Sequence, residues 1–452
     1  MTETSAPQAA AAAPSGSAGP EAAAAPQPSA AFRWTILVSC SLAMFGCYYV
    51  FDALAPVTPA LQKELAFTDA QVGLLDSAYN LAALLTLIAG GVLIDRLGTR
   101  RSAVLFGGIG AAGGLLIAVG PTLMPGSPAL GMMAGRFVLG VGSELFIVAV
   151  TTVVGRWFKG KELSFAMALQ LLIARQGSYV ADKSPDWFSF LFTGWQRPLL
   201  FAAALGGTWF VCSVVYAQLE GVAARRYPVK AAGATDKLVL SDLVRFNLGY
   251  WWVVGLCVCF YATIFPFRSF ANLYMTQAHG ISDSEAGALK SWLPLISMIG
   301  MPVFGIVVDR IGKRALLMAL GSALLVPPFF LMSYTHVPLG VSMGMLGLAF
   351  ALVPAVLWPS VTYLVPEARL GSAYALMTFF QQCGWMGMSS GIGFLNDTSK
   401  ASAQNPAGWL PSMWMLGGLA CMGFVFSFLL WRYEHGVAGH GLDQARPTGA
   451  TT

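Results

Sequence analysis

Twelve apolar stretches, each long enough to cross a bilayer, restrict this chain to a bundle of membrane-spanning helices. They fall near 34–54, 70–94, 102–121, 129–157, 162–181, 198–219, 248–275, 284–308, 315–334, 338–364, 371–395 and 410–431. A hydrocarbon core about 30 Å thick takes roughly 20 residues of helix. With no water inside it, a helix satisfies every backbone group within one segment. The 452 residues are 56% hydrophobic and 10% charged, which excludes a soluble globule. The expected class is an all-α membrane protein; stretches longer than about 25 residues imply tilt.

Basic residues decide which helix ends share a side. Arg96, Arg100 and Arg101 fall together with Arg156, Lys159 and Lys161, with Arg225, Arg226, Lys230, Lys237 and Arg245, and with Arg310, Lys313 and Arg314. The opposite loops carry scattered cations such as Lys63, Lys183 and Lys400. The positive-inside rule then expects both termini and the central segment in the cytoplasm. Residues 1–32, rich in Ala, Pro, Ser and Gly, read as a disordered tail. The expected division is two six-helix halves, 33–220 and 247–432, a cytoplasmic linker over 221–246, and a second disordered tail over 433–452. No Arg- or Lys-led signal peptide precedes the first span, so that span is expected to be retained. The plain localisation is a plasma membrane, bacterial and multi-pass.

The seven cysteines form no metal-type cluster, and His279, His336, His435 and His440 all fall in loops or helix ends. No metal, cofactor, nucleic acid or catalytic signature is visible, and an enzyme has no support. Nothing demands an accessory subunit, and a monomer is compatible with the sequence. Asn396-Asp-Thr398 matches a glycosylation triplet but hugs a helix end.

The chain repeats itself. Gly91 to Arg101 reads GVLIDRLGTRR and Gly305 to Ala315 reads GIVVDRIGKRA, with Asp95 and Asp309 214 residues apart. The same offset carries Thr68-Asp-Ala-Gln71 onto Ser282-Asp-Ser-Glu285, both of them capping boxes. Two motifs in one register predict two six-helix halves, a design whose site lies between the halves near the midplane.

Glu144 and Arg175 lie deep inside apolar stretches. A charge there costs at least ~2.5–3.5 kcal/mol, so it faces a pathway or a partner. Each is 13 residues from the basic loop, counted from Trp157 and from Glu162. Both therefore sit about 20 Å from one face. One acid and one base at matched depth suit a ligand carrying both charges; the alternative is that they pair with each other. Arg136, nearer the outer face, can bond helix-end carbonyls, Glu144 or a ligand. Asp76 and Lys290 occupy equivalent positions of the two halves, and Lys290 can snorkel or bind a carboxylate.

The GxxxDRxGxRR motif, whose second copy lacks only the last Arg, resembles the loop between helices two and three of the major facilitator superfamily. Gly135-Arg136-Phe-Val-Leu-Gly140-Val-Gly142 is similar to its fourth-helix pattern. The resemblance covers 34–431 and implies a twelve-helix fold with alternating access. It also implies a breakable cytoplasmic latch of Asp95, Arg96 and Arg100, with Asp309 and Arg310 in the second half. Helices one and seven meet on the outer side in this superfamily, which suggests an Asp52–Arg268 gate; the alternative is that both are solvated helix ends.

A finer resemblance is to the lysosomal dipeptide uniporter branch and its bacterial relatives. It rests on the stretch from Gly135 to Glu144, on Trp157-Phe-Lys-Gly-Lys-Glu-Leu163, and on Ala174-Arg175-Gln-Gly-Ser178. In the second half it rests on Leu357-Trp358-Pro359, Val365-Pro-Glu367 and Leu370-Gly-Ser-Ala-Tyr374, followed by Gln381 and Gln382. The branch implies that Glu144 and Arg175 hold the charged termini of a dipeptide, carried by facilitative uniport. Gln381, Gln382, Asn80 and Tyr49 then suit the peptide group, with Trp358 an aromatic contact. Rival readings are a proton-coupled drug or organic-anion carrier and a transport-inactive scaffold or receptor. Helix five has a charge and no Gly-Pro pattern, which argues against drug export. Asp52 and Asp76 stand where an anion carrier usually has cations.

Overall fold

Two capping boxes open equivalent helices. The Thr68 hydroxyl accepts the Gln71 N–H at 3.2 Å while Gln71 Oε1 accepts the Thr68 N–H at 3.1 Å. Ser282 and Glu285 repeat the exchange at 3.2 and 3.1 Å. The computed structural model describes residues 29–158, 162–226, 246–366, 369–436 and 442–443, and within these not the side chains of Asp95 and Asp309. Lys159, Lys161, Lys230, Lys237, Arg245, Glu367 and residues 1–28 lie outside the described residues.

The first half comprises α1 (Ala30–Asp52), α2 (Thr58–Leu65), α3 (Asp69–Leu123), α4 (Pro128–Phe158), α5 (Leu163–Trp187) and α6 (Gln196–Arg226). The second comprises α7 (Leu248–His279), α8 (Asp283–Lys290), α9 (Trp292–Ile311), α10 (Arg314–Leu325), α11 (Pro327–Tyr334), α12 (Leu339–Leu364), α13 (Leu370–Thr398) and α14 (Leu410–Glu434). Among the described residues, nine segments are long and apolar enough to cross a membrane. Helices α5 and α13 are not among them. The first carries Gln170, Arg175 and Asp182 and the second Gln381, Gln382 and Asn396, residues that face other helices rather than lipid.

The repeat has a backbone signature. The long α3 is two spans joined at Gly98, with φ 73° and ψ 155°. Its equivalent Gly312 ends α9 with φ 69° and ψ −124°. Both conformations suit a residue without Cβ. Each half has its own apolar core, one around Phe106, Phe146 and Trp209, the other around Phe260, Phe329 and Phe350.

The halves meet at the face opposite the basic loops, here the far face. A Cβ at Gly73 would strike the Ser389 backbone, and one at Gly393 the Asp69 backbone, so α3 and α13 touch main chain to main chain. Asp397 caps α3 from the other half, its carboxylate accepting the Asp69 and Ala70 N–H groups at 2.8 and 2.9 Å. That places a negative charge at a helix N-terminus, where it is favourable. The neighbouring Asn396 is buried, 1% exposed, which withdraws the triplet from a modifying enzyme.

On the basic face each half is tied to itself. Glu220 of α6 pairs with Arg156 at 2.8 Å and accepts from Trp157 Nε1 at 3.0 Å and Tyr216 Oη at 3.2 Å. In the second half Asp443 Oδ1 accepts the Ala315 N–H at 3.0 Å and its carbonyl accepts the Lys313 N–H at 3.2 Å. Leu442 beside it is fully buried. The sequence expects a disordered tail over 433–452, yet α14 continues to Glu434, and Leu442 and Asp443 are bound to the start of α10.

The left-handed glycines give a sign test. Gly312→Ala should destabilise the protein by about 1–3 kcal/mol, because L-residues are strained there. Gly344→Ala, inside α12 with nothing within 4 Å of an added Cβ, should stabilise it by about 0.5–1 kcal/mol. Thermal unfolding of both in detergent reads the two directions; equal shifts would contradict the backbone reading.

Candidate functional site

Between the halves lies a cavity of about 310 Å³, bordered by Glu144 of α4, Arg175 of α5, and Trp358, Gln381, Gln382 and Trp385 from the second half. Its size is at the lower end of ligand pockets, roughly 300–1,000 Å³. Glu144 and Arg175 border one space, and they do not pair with each other. Glu144 accepts one hydrogen bond, from Tyr79 Oη at 2.9 Å. The Arg175 guanidinium lies 5.5 Å from the Tyr48 ring and 5.0 Å from the Phe350 ring. Its Nε is buried without a hydrogen-bond partner among the described residues. Rings favour a cation over them but leave its N–H groups free to bond.

Other walls present polar atoms in the same condition. Gln382 Oε1 and Trp385 Nε1 are buried without a partner among the described residues. Gln381 Oε1 receives a weak bond from Cys257 Sγ at 3.6 Å. Trp358 is held in place: its Nε1 donates to Tyr261 Oη at 2.8 Å and its carbonyl accepts from Tyr374 Oη at 3.0 Å. Buried polar groups are rarely left unbonded, so this set suits a polar ligand or water.

Six further buried charges are matched with one another, two of which, Asp52 and Arg268, also border the cavity. Arg268 contacts Asp52 at 3.1 Å and Asp182 at 3.0 Å, and Lys290 contacts Asp182 at 2.9 Å. The Asp52–Arg268 pair expected from the sequence is thus one edge of a four-residue cluster joining α1, α5, α7 and α8. Arg136 pairs with Asp76 at 2.9 Å and donates to the carbonyls of Phe51 and Leu75 at 3.1 and 3.4 Å. It also lies against the rings of Phe51 and Tyr79, at 4.8 and 5.2 Å. Among the described residues, every hydrogen bond and ion pair between the halves lies on the far-face side of Glu144.

Several expected ligand contacts belong elsewhere. Lys290 is turned inward to Asp182 rather than snorkelling or entering the cavity, because a buried ammonium needs that counter-charge. Arg136 is neutralised by Asp76 and supports the Tyr79 ring that bonds Glu144. Asn80 is fully buried and donates to Asp76 O of its own helix at 2.9 Å. Tyr49 packs on Phe45 and Phe201, behind α1 as seen from the cavity. Of the latch residues, Arg96, Arg100 and Arg310 are exposed, Arg100 lies against Gly221 of α6, and the Asp95 and Asp309 side chains are outside the described residues. Sequence reasoning missed Asp182 and Glu220. Asp182 had one signal: it is seven residues from Arg175, two turns along the same face of α5.

A helical bundle with a midplane cavity between similar halves, closed at one face, defines a membrane transporter. The chain belongs to the Major Facilitator Superfamily, whose family profile matches residues 40–389 and 268–447. It is 31% identical over 375 residues to the human lysosomal dipeptide transporter MFSD1, covering 80% of this chain and 79% of that protein. A probable nitrate/nitrite transporter, NarK2 of Mycobacterium tuberculosis, is 27% identical over 342 residues, 71% of this chain and 82% of its own. Two solved structures share the fold. The nucleoside transporter NupG (D323A mutant) has a TM-score of 0.69 at 15% identity, covering 88% of this chain and 99% of its own. The D-xylose-proton symporter has 0.68 at 14%, covering 89% and 98%. These relatives are transporters, and the chain is a multi-pass membrane transporter, not an enzyme.

The far-face cluster can be taken apart. Asp182→Asn leaves Arg268 and Lys290 short of a counter-charge, and breaking a buried pair costs about 3–5 kcal/mol. Adding Lys290→Met removes one orphaned cation while Arg268 keeps Asp52, so the double variant should recover more than half of the loss. A double-mutant cycle on thermal stability checks this; purely additive effects would mean that the contact carries no coupling.

Proposed function

We propose that the chain carries dipeptides across the membrane, with Glu144 accepting from the peptide's ammonium and Arg175 holding its carboxylate. One observation carries the reading. Among the described residues Glu144 and Arg175 border one cavity without a counter-ion, whereas Asp52, Asp76, Arg136, Asp182, Arg268 and Lys290 are neutralised among themselves. A zwitterion supplies the two missing charges at once. Arg175 offers a planar fork to a carboxylate, and the Gln381–Gln382 wall offers donors and acceptors to a peptide group. Recognition of the termini and peptide group leaves room for varied side chains. The similarity to a dipeptide transporter at 31% identity supports the same class.

A simple anion such as nitrate fits less well. It would satisfy Arg175 but leave Glu144 in the same cavity, repelling it. The basic face is assigned to the cytoplasm by the positive-inside rule, so the structure is the state sealed on the outer side. Downhill uniport is what the resemblance to the dipeptide branch implies; the plasma membrane is proposed from the sequence alone, the matched dipeptide relatives being named as lysosomal. Asp95 and Asp309 keep their place in the proposed cytoplasmic latch on the strength of the repeat.

Arg175→Ala should abolish dipeptide binding, and Arg175→Lys should restore little, since an ammonium has no fork. Glu144→Gln should weaken free dipeptides about ten- to a hundredfold, as expected for a lost charge-assisted bond of ~1.5–3 kcal/mol. N-acetylated dipeptides should lose far less in that variant. Binding by thermal shift on purified protein, followed by uptake into proteoliposomes, tests the set. Wild-type affinity in both variants would make these charges structural and end the dipeptide reading.

A further inference from the structure

Arg175 borders a second space. On the basic-face side of the cavity, α5 and α9 face each other across a crevice of about 220 Å³. One wall is Leu171, Leu172 and Arg175 of α5; the other is Met298, Met301 and Pro302 of α9. The spacings 168, 171, 172, 175 and 298, 301, 302 put each set on one helix face. Apart from Arg175 the lining holds one polar side chain, Ser297, whose hydroxyl donates to its own helix at Pro294 O, 2.9 Å away. Among the described residues no carboxylate or amide side chain borders the crevice.

We infer that this crevice is the side-chain subsite for the residue that carries the substrate's carboxylate, and that it selects apolar groups there. The inference rests on the dipeptide reading and deepens it. A carboxylate bonded to Arg175 fixes the adjoining Cα within a few ångströms of the guanidinium, at the mouth of the crevice. The side chain on that Cα then enters between Leu172 and Met301, while the rest of the peptide runs toward Glu144. Methionine walls are unbranched and adaptable, so they accept leucyl, methionyl or benzyl groups alike. A charged group there would face apolar walls, with no counter-charge in the lining except Arg175 itself, already engaged. The two ends of the ligand are therefore unequal: the amino-terminal side chain lies among Tyr48, Tyr79 and Ile147 beside Glu144, and the carboxy-terminal one between the leucine and methionine walls of the crevice.

Pairs of reversed sequence separate this from the dipeptide reading itself. Wild-type protein in proteoliposomes is given Ala-Ala, Gly-Leu, Leu-Gly, Gly-Phe, Gly-Asp and Gly-Lys as competitors of one labelled dipeptide. Gly-Leu and Gly-Phe should compete at least ~tenfold better than Gly-Asp and Gly-Lys, a fair yield for filling an apolar pocket, and Gly-Leu should exceed Leu-Gly. Met301→Trp, which fills the crevice, should reduce the Gly-Leu to Leu-Gly preference at least ~tenfold. Leu172→Trp fills it from the other wall and serves if the first variant folds poorly; the wild-type series needs no variant. Ala-Ala uptake without any preference at the carboxy-terminal position would overturn the subsite and leave the dipeptide reading standing. The same holds if Met301→Trp shifts thermal stability with lipid chain length and leaves the preference intact, since a lipid chain then occupies the crevice. Failure of every dipeptide to compete would overturn both.

Discussion

Ionised groups in a membrane bundle must be neutralised, and the way this chain does so organises everything else. Three carboxylates and three cations, Asp52, Asp76 and Asp182 against Arg136, Arg268 and Lys290, are matched within contact distance. A buried ion pair is weak evidence of stability in itself, because desolvation offsets most of the attraction. Its value here is positional. The Arg268 cluster spans both halves, so parting them at the far face would expose or strand its members. Glu144 and Arg175, with no ion pair among the described residues, stand where the halves enclose a cavity. The division of labour between seal and site thus follows from which charges have a protein partner.

Main-chain contact between α3 and α13 makes that seal tight enough to matter. Where Gly73 meets Ser389 and Gly393 meets Asp69, no side chain separates the two helices. Association inside a bilayer gains little from the hydrophobic effect, so close packing and hydrogen bonds carry it. The Asp397 cap on α3 and the Ser77–Ser390 bond of 2.7 Å supply the latter across the same seam. On the basic face the strong ties, through Glu220 and Asp443, stay within one half. Among the described residues the bundle is bonded across at one face and only within its halves at the other, an arrangement suited to rocking about the cavity.

The fold was legible because its causes are local or periodic. Apolar length, basic asymmetry and a 214-residue repeat each survive in one dimension, and the capping boxes and the Gly98–Gly312 pair occur where the repeat places them. Glu144 and Arg175 were legible because depth can be counted along a helix. What failed was partner choice. Lys290 and Asp182 lie on different helices in different halves, and no spacing rule relates them. Glu220 and Arg156 share a half but lie on different helices, and again no spacing rule relates them. Asn80 and Tyr49 were placed at the cavity from polarity and depth alone. Which way a residue faces around its helix depends on the packing of neighbours, and helices polar on more than one side give no unique answer. Leu442 and Asp443 show the converse: a tail of unremarkable composition can still contain a short segment that caps a helix.

The placement of the two unmatched charges also bears on how a ligand could drive movement. Both Glu144 and Arg175 belong to the first half, whereas Gln381, Gln382, Trp358 and Trp385 belong to the second. A ligand shifts a conformational equilibrium only by its difference in affinity between the states. On the zwitterion reading, bonds to Glu144 and Arg175 can persist while the halves rock, because both residues travel together. They would give affinity without bias. The contacts that must change are those with the second half, the amide wall and the α9 side of the crevice. Charge would then decide that a peptide binds, and the neutral surfaces across the seam would decide how its binding couples to closure. A rigid anchor on one half and a yielding, apolar surface on the other is consistent with a carrier that accepts many side chains and still senses whether its site is full.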